Sequence, residues 1–255
     1  MGRDTAPSTP AVPLLSARGA AKSFGVVEAL CGADIDVFAG EIVALVGESG
    51  AGKSSLAKAL SGALTLDAGI VRVDGREVRL TSPADALDHG IATVFQDVSV
   101  CENLSVAANI FLGREPRRRG LLDESAMEAR SRRVLLDIDA DIASPKVPLA
   151  ALTGGQRQLV AIARALISHP RVVVLDEPTV QLSQLQTAEV LTTIQRLRSL
   201  GLGVLLISHS THDVRSVADR IVVLRHGRNN GTFSADTPEE VVLAAITGAG
   251  MAHLT

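Results

Sequence analysis

The stretch that most constrains this chain is Gly47-Glu48-Ser49-Gly50-Ala51-Gly52-Lys53-Ser54, which matches the pattern G-x-x-x-x-G-K-[ST]. It follows the unbroken apolar run Ile42-Val43-Ala44-Leu45-Val46 and precedes the helical stretch Ser55 to Leu60. An apolar run without alternation reads as a strand covered on both faces, the habit of parallel strands under helices. A strand, a glycine-rich turn and a helix start, in that order, make a phosphate-binding loop. The glycines let successive backbone N–H groups turn toward a β-phosphate, and the helix N-terminus adds a partial positive charge. Lys53 is placed to reach β and γ oxygens, and the Ser54 hydroxyl can ligate Mg²⁺. Ser55 joins the eight loop residues as a candidate nucleotide contact.

The pattern on either side fits an α/β fold. Upstream and just downstream, Ile35-Asp36-Val37 alternates and Ile70-Val71-Arg72-Val73 runs into the Asp74-Gly75 turn signal, which predicts a small antiparallel β layer with one wet face. Ser82-Pro83 reads as an N-cap with proline at the first helical position, stopped at Gly90 before a strand from Ile91 to Phe95. Ser105 to Leu166 reads as mainly helical, with Met127, Val134, Leu135 and Ile138 at helical spacing behind an Asp123 cap and Arg130, Arg132 and Arg133 on a solvated face. After Pro170, strands at Val172 to Leu175, Val204 to Ile207 and Ile221 to Leu224 alternate with helices carrying Val190 to Leu197 and Val214, which predicts a parallel sheet. Thr237-Pro238-Glu239-Glu240 has the spacing of a capping box opening a last helix.

Composition narrows the classes of function. The 25 Lys+Arg against 28 Asp+Glu give a formal charge of −3, and the five phenylalanines are the whole aromatic set. A basic nucleic-acid binder with stacking platforms is disfavoured on both counts. Apolar runs stop far short of the ~20 residues that span a bilayer. Residues 1–13 lack a continuous apolar stretch of the signal-peptide kind, carry Ala6 where a myristoylation pattern needs Ser or Thr, and are expected to form a loose tail, as are 249–255. Cys31 and Cys101 have neither disulfide-framework nor metal spacing and read as reduced thiols.

Two further segments carry chemistry. Val172 to Glu177 is an apolar strand closing on Asp176 and Glu177, and such a strand delivers carboxylates to the crevice at the sheet's carboxyl edge, where phosphates bind. Asp176 is suited to hold Mg²⁺ through water and Glu177 to orient or deprotonate an attacking water. Leu152-Thr153-Gly154-Gly155-Gln156 precedes a long apolar helix with capping-box spacing between Thr153 and Gln156. Its adjacent glycines read as room for an anion at the helix start.

The phosphate loop, Gln96 in Val94-Phe95-Gln96, the Leu152 to Gln156 signature, the Asp176-Glu177 pair and His209 in Ile207-Ser208-His209 stand in the order of an ABC-transporter ATPase. The chain resembles that family from about Leu14 to Gly248. Gly90 to Gln96 and Ala108 to Pro116 look like its monosaccharide-import branch, of the ribose, xylose and fructose type. The resemblance implies a P-loop NTPase core with a mainly parallel sheet, an N-terminal antiparallel β subdomain and an inserted helical subdomain at about 97–168, all within one domain at 14–248. It implies that Phe24 stacks on adenine, that Gln96 senses the γ-phosphate and Mg²⁺, that His209 contacts the γ-phosphate, and that Thr153, Gly154, Gly155 and Gln156 face the phosphates of a second copy.

The same resemblance implies a peripheral ATPase, turning ATP into ADP and phosphate on the cytoplasmic face of the membrane. It would act with transmembrane permease subunits, indirectly with a periplasmic or extracellular sugar-binding protein, and as an ATP-dependent homodimer, with no nucleic-acid partner. The alternatives are an ATP-dependent assembly module with reduced hydrolysis and the ATPase of an exporter. Two departures bear on them: Thr153 stands where Ser is usual, and Val180-Gln181-Leu182-Ser183 ends without the Asp that the family pattern places at position 183.

Overall fold

The computed structural model of the chain describes residues 12–97 and 100–249, so most of the two expected tails lies outside the described residues. Strands β1 (Leu15–Phe24) and β2 (Val27–Val37) pair antiparallel, and β3 (Ile42–Val46) comes next. Helix α1 (Lys53–Leu60) leads to β4 (Ala68–Val73) and β5 (Arg76–Val78), which complete a four-stranded antiparallel sheet of order β2-β1-β4-β5. In it Ile35 and Val37 are buried and Asp36 is not, the alternation its sequence predicts.

The middle of the chain forms α2 (Pro83–Asp88), β6 (Ile91–Val94), α3 (Val106–Ile110), β7 (Arg117–Arg118), β8 (Leu121–Leu122), α4 (Glu124–Asp137) and α5 (Gly154–Leu166). The last third alternates β9 (Val172–Asp176), α6 (Gln184–Ser199), β10 (Gly203–Ile207), α7 (Thr211–Val217), β11 (Arg220–Arg225), β12 (Arg228–Ser234) and α8 (Glu239–Thr247). The main sheet has the order β12-β11-β3-β10-β9-β6 and is parallel except for the edge strand β12. β3 lies inside it with all five residues buried. Val43 and Leu45 join one core with Leu56 and Leu60 of α1, while Ile42, Ala44 and Val46 join another with Val160 of α5 and Ile194 of α6. This double coverage is why the strand's sequence shows no alternation.

The expected caps form at three helices: Ser82 accepts from Asp85 N, Asp123 from Ala126 N, and Thr153 from Gln156 N. The capping box expected at Thr237 does not. Pro238 is itself the N-cap of α8, without a side-chain cap, while Thr211 donates to Glu239 and the Thr237 carbonyl accepts from Arg215. The Thr237 N–H, from which the Glu240 carboxylate of a capping box would accept, donates instead to the Ser234 carbonyl at 3.0 Å. The stretch from Ser105 to Leu166 is also less continuously helical than its composition suggests. Pro116 and Gly120 interrupt it, and the β7–β8 hairpin occupies the break. Both cysteines are free and half-buried.

Candidate functional site

The phosphate loop is held by close backbone approaches at both ends. A Cβ on Gly47 would sit 2.2 Å from the carbonyl oxygen of Leu224, and one on Gly52 2.3 Å from that of Ala29, so neither position has room for a side chain. Both glycines also have positive φ, 156° and 103°. Lys53, at the start of α1, turns its buried ammonium back over the loop and donates to the carbonyls of Gly47 at 2.8 Å and Glu48 at 3.0 Å. Burial pushes its pKa down, against the pull of the Glu177 and Asp176 carboxylates.

A cleft of about 500 Å³ opens beside this loop. It is lined by Phe24, Val27, Glu28 and Ala29 of the first hairpin, by Ser49, Gly50, Gly52, Lys53, Ser54 and Ser55, and by Gln96, Glu177 and His209. Ten candidates scattered over more than 180 positions of sequence thus meet in one place. Phe24 is 51% exposed, which removes it from the core. Val27, Glu28 and Ala29 were not legible as site residues, although the exposed Val27 just after a glycine turn was a signal available in the sequence. Gly47 and Ala51 are buried behind the cleft, and Glu48 contributes its carbonyl to Lys53 and to Ala51 N.

Glu177 reaches the cleft because β9 ends there, and Asp176, one residue earlier, is buried behind it and does not line it. Ile207 of β10 pairs with Asp176, and the Glu177 N–H donates to the Ile207 carbonyl at 2.9 Å. Glu177 has φ 53°, a left-handed conformation that a glutamate adopts at a cost. Its Oε2 lies 2.8 Å from Nδ1 of His209, and its side chain is only 11% exposed. Asp176 is more deeply buried, and its Oδ1 has no hydrogen-bond partner. Burial first, and then the Glu177 charge, raise its pKa, while a hydrogen bond from Ser54 and the charges of Lys58 and Lys53 oppose the shift. An orphaned carboxylate oxygen, a neighbouring serine hydroxyl and the exposed Gln96 amide are oxygen donors of the kind Mg²⁺ takes. Among the described residues no cluster of three or more His, Cys, Asp or Glu forms a protein-only metal cage, and Mg²⁺ at phosphates does not require one.

The signature residues lie elsewhere. Thr153 and Gln156 form a reciprocal capping box on α5, and Gln156 also donates to the Asp141 carbonyl at 2.9 Å. None of Thr153, Gly154, Gly155 and Gln156 lines the cleft of their own chain. At Gly155 the missing side chain also has a packing cause within the chain. A Cβ there would stand 2.9 Å from Cβ of Gln186, so its space is taken by the start of α6. Ser183 caps that helix and forms a second capping box, with Gln186.

A parallel α/β sheet that presents a phosphate loop and a strand-terminal glutamate at one cleft, with an aspartate buried just behind, is a P-loop NTPase architecture. The chain belongs to the ABC transporter family, whose model matches residues 30–180. It is 42% identical over 238 residues to the ribose import ATP-binding protein RbsA 1 of Rubrobacter xylanophilus, covering 92% of this chain and 47% of that protein. It is 44% identical over 224 residues to the fructose import ATP-binding protein FrcA of Rhizobium meliloti, covering 85% of this chain and 86% of that protein. The chain therefore spans about half the length of the ribose-import relative. Among solved structures, a nucleotide-free ATP-binding cassette from an ABC transporter superposes with a TM-score of 0.78 at 23% identity, over 92% of this chain and 95% of the other.

Proposed function

We propose that this chain is an ATP-hydrolysing subunit that energises separate permease subunits for import of a sugar, a monosaccharide, from the cytoplasmic face of the membrane. The observation that carries the reading is the meeting of Lys53 and Ser54 with the Glu177–His209 pair in one cleft. The sugar-import names of its relatives support import over export. We assign the ATPase domain to residues 14–248, with a helical subdomain at about 97–168.

In this reading the loop N–H groups and Lys53 bind the β- and γ-phosphates, and Phe24 stacks on the base. Ser54, Asp176 and Gln96 would hold Mg²⁺, which neutralises charge on the phosphates when bound. Glu177 accepts a proton from the attacking water at Oε1, while His209 holds the carboxylate in place through Oε2 and meets the γ-phosphate. Strain at Glu177 keeps the carboxylate aimed into the cleft rather than along the strand. Because the signature does not line its own chain's cleft, the site is completed by the signature of a second cassette, and two copies would enclose two ATP molecules.

The test is phosphate release from ATP and Mg²⁺ by the purified chain, with Lys53→Ala beside it. Turnover by the wild type and weakened nucleotide affinity in Lys53→Ala are expected. Tight ATP binding without turnover, alone or with the permease, would favour an assembly module instead.

A further inference from the structure

The β7–β8 hairpin carries charge and apolar surface that the nucleotide site does not use. Arg117, Arg118 and Arg119 are consecutive and exposed, and Leu121 and Leu122, on the returning strand, are 76% and 52% exposed. Some exposed arginines find carboxylates, as Arg18 does with Asp36, Arg133 with Asp137, Arg171 with Asp74 and Arg198 with Asp219, while Arg76, Arg79, Arg132 and Arg228 stand singly on the surface without one among the described residues; only at the hairpin do three such arginines stand side by side. Among the described residues the side chains of the three hairpin arginines have no ion pair or hydrogen bond. The nearby Glu115 acts on Arg117 only through its charge and is itself engaged by the Gly113 N–H. The positive charge is gathered toward the tip of the hairpin, with the carboxylates Glu115, Asp123 and Glu124 at its base.

The register gives each face of the hairpin one arginine and one leucine, since Arg117 pairs with Leu122 and Arg118 with Leu121. Arg119 and Gly120 form the two-residue turn with φ 52° and 84°. Hairpin turns of that kind favour Asn, Asp or Gly at the first position, because an ordinary side chain is strained there. Turn formation therefore does not explain an arginine at the tip. A strained, unpaired charge flanked by exposed leucines on a two-stranded ribbon is held for a partner outside the chain.

We infer that this hairpin docks tip-first on an anionic phospholipid surface, with the arginines on headgroup phosphates and the leucines at the acyl boundary. Arginine forks match phosphate oxygens, and leucines gain from leaving water only where the partner has an apolar layer under its charges. An acidic protein surface would satisfy the arginines alone. The inference rests on the membrane association proposed above. There a permease's own cytoplasmic loops, rich in Lys and Arg, would repel the hairpin while anionic lipid attracts it.

The experiment is sedimentation of the full chain with unilamellar vesicles of phosphatidylcholine alone and of phosphatidylcholine with phosphatidylglycerol in equal parts. Binding to the anionic vesicles only, weakened by salt, is expected. An arginine near an anionic surface is worth about a factor of five in binding, so Arg117→Gln with Arg118→Gln and Arg119→Asn should weaken it roughly a hundredfold. Arg119→Asn alone should weaken binding while leaving the melting temperature equal or higher, since asparagine suits the turn. Leu121→Ser with Leu122→Ser should lower affinity at every salt concentration.

Equal binding to neutral vesicles, unchanged binding by the triple variant, or no vesicle binding at all would overturn the inference, the last pointing to an acidic protein partner. Phosphate release measured on the same preparations separates this from the nucleotide reading. The hairpin does not line the cleft, so its variants should hydrolyse ATP as the wild type does, and failure of turnover in every version would count against the ATPase assignment alone.

Discussion

Nδ1 of His209 lies 2.8 Å from Oε2 of Glu177, across the ends of the neighbouring parallel strands β10 and β9. The His209 N–H reaches the same oxygen at 3.4 Å. One carboxylate oxygen is thereby anchored from the adjacent strand, and the other is left for chemistry. Glu177→Gln keeps the shape but removes the base, so hydrolysis should fall by about 10²–10⁴-fold with ATP affinity retained. Phosphate release together with calorimetric titration of ATP checks this. Wild-type turnover in Glu177→Gln would take Glu177 out of the catalytic assignment.

Phe24 is half exposed beside the cleft, with the Lys22 ammonium 5.8 Å from its ring centroid. Little core is lost if the ring is removed. Phe24→Ala should therefore raise the ATP KM, by an amount worth ~1–3 kcal/mol of stacking, with kcat and thermal stability nearly unchanged. A large drop in melting temperature with KM unaltered would return Phe24 to a packing role.

Much of this site was legible in the sequence because its parts lie where periodicity changes. The solid run at β3 and the glycine loop after it announce each other, and an apolar strand ending in Asp176-Glu177 leaves no other place for those carboxylates. Contacts between elements were not legible. The spacing of Thr153 and Gln156 reads as a cap, but nothing local says that Gln186, about 30 residues on, presses against Gly155. At α8 the local pattern was overridden, because the Thr237 N–H that the capping box would use donates to the Ser234 carbonyl at the end of β12. The arginine-rich hairpin lay in a stretch read as helix, where only Pro116 and Gly120 signalled the break.

Asp176 supplies a pH test in the nucleotide-free protein with chelator present. Its pKa is raised above the ordinary 3.8, first by burial and then by Glu177, so the folded state holds the proton more tightly than the unfolded state. Below 3.8 both states are protonated and nothing is lost. As pH rises through the folded-state value, a buried carboxylate must ionise and stability falls. Asp176→Asn removes that ionisation. It should melt higher than the wild type at neutral pH, the advantage shrinking as pH falls toward 3.8, while Mg²⁺ no longer strengthens nucleotide binding. An advantage that does not change with pH would mean that ionisation of Asp176 is not its source.

Gly155 offers a choice between two signs. In an ordinary helix Gly→Ala gains roughly 0.5–1 kcal/mol. Here the added methyl would meet Cβ and Cγ of Gln186 at 2.9 and 3.1 Å, and overpacking of that kind costs about 1–3 kcal/mol. Gly155→Ala should thus lower the melting temperature, and with Gln186→Gly the pair should cost less than the sum of the two changes. A stabilised Gly155→Ala would show that α5 and α6 can part freely at this point.

Ser183 is exposed and caps α6: its Oγ accepts from Gln186 N at 3.4 Å, and Oε1 of Gln186 accepts from Ser183 N at 3.2 Å. The pattern of the family places an aspartate here, able to accept hydrogen bonds from the phosphate loop of an opposing cassette. Aspartate caps helices as well as serine does, so Ser183→Asp should change stability by no more than about 0.5 kcal/mol. Any functional effect then belongs to the added charge. Hydrogen bonds to a charged group are roughly twice as strong as neutral ones, and in the proposed dimer the wild type would lack that charge between the two nucleotide sites. It should hydrolyse ATP with weak cooperativity, and Ser183→Asp should raise the Hill coefficient or the rate in the assembled transporter. A wild-type coefficient already close to the limit of about two set by two sites, and unmoved by the substitution, would show that coupling between the sites runs through other contacts.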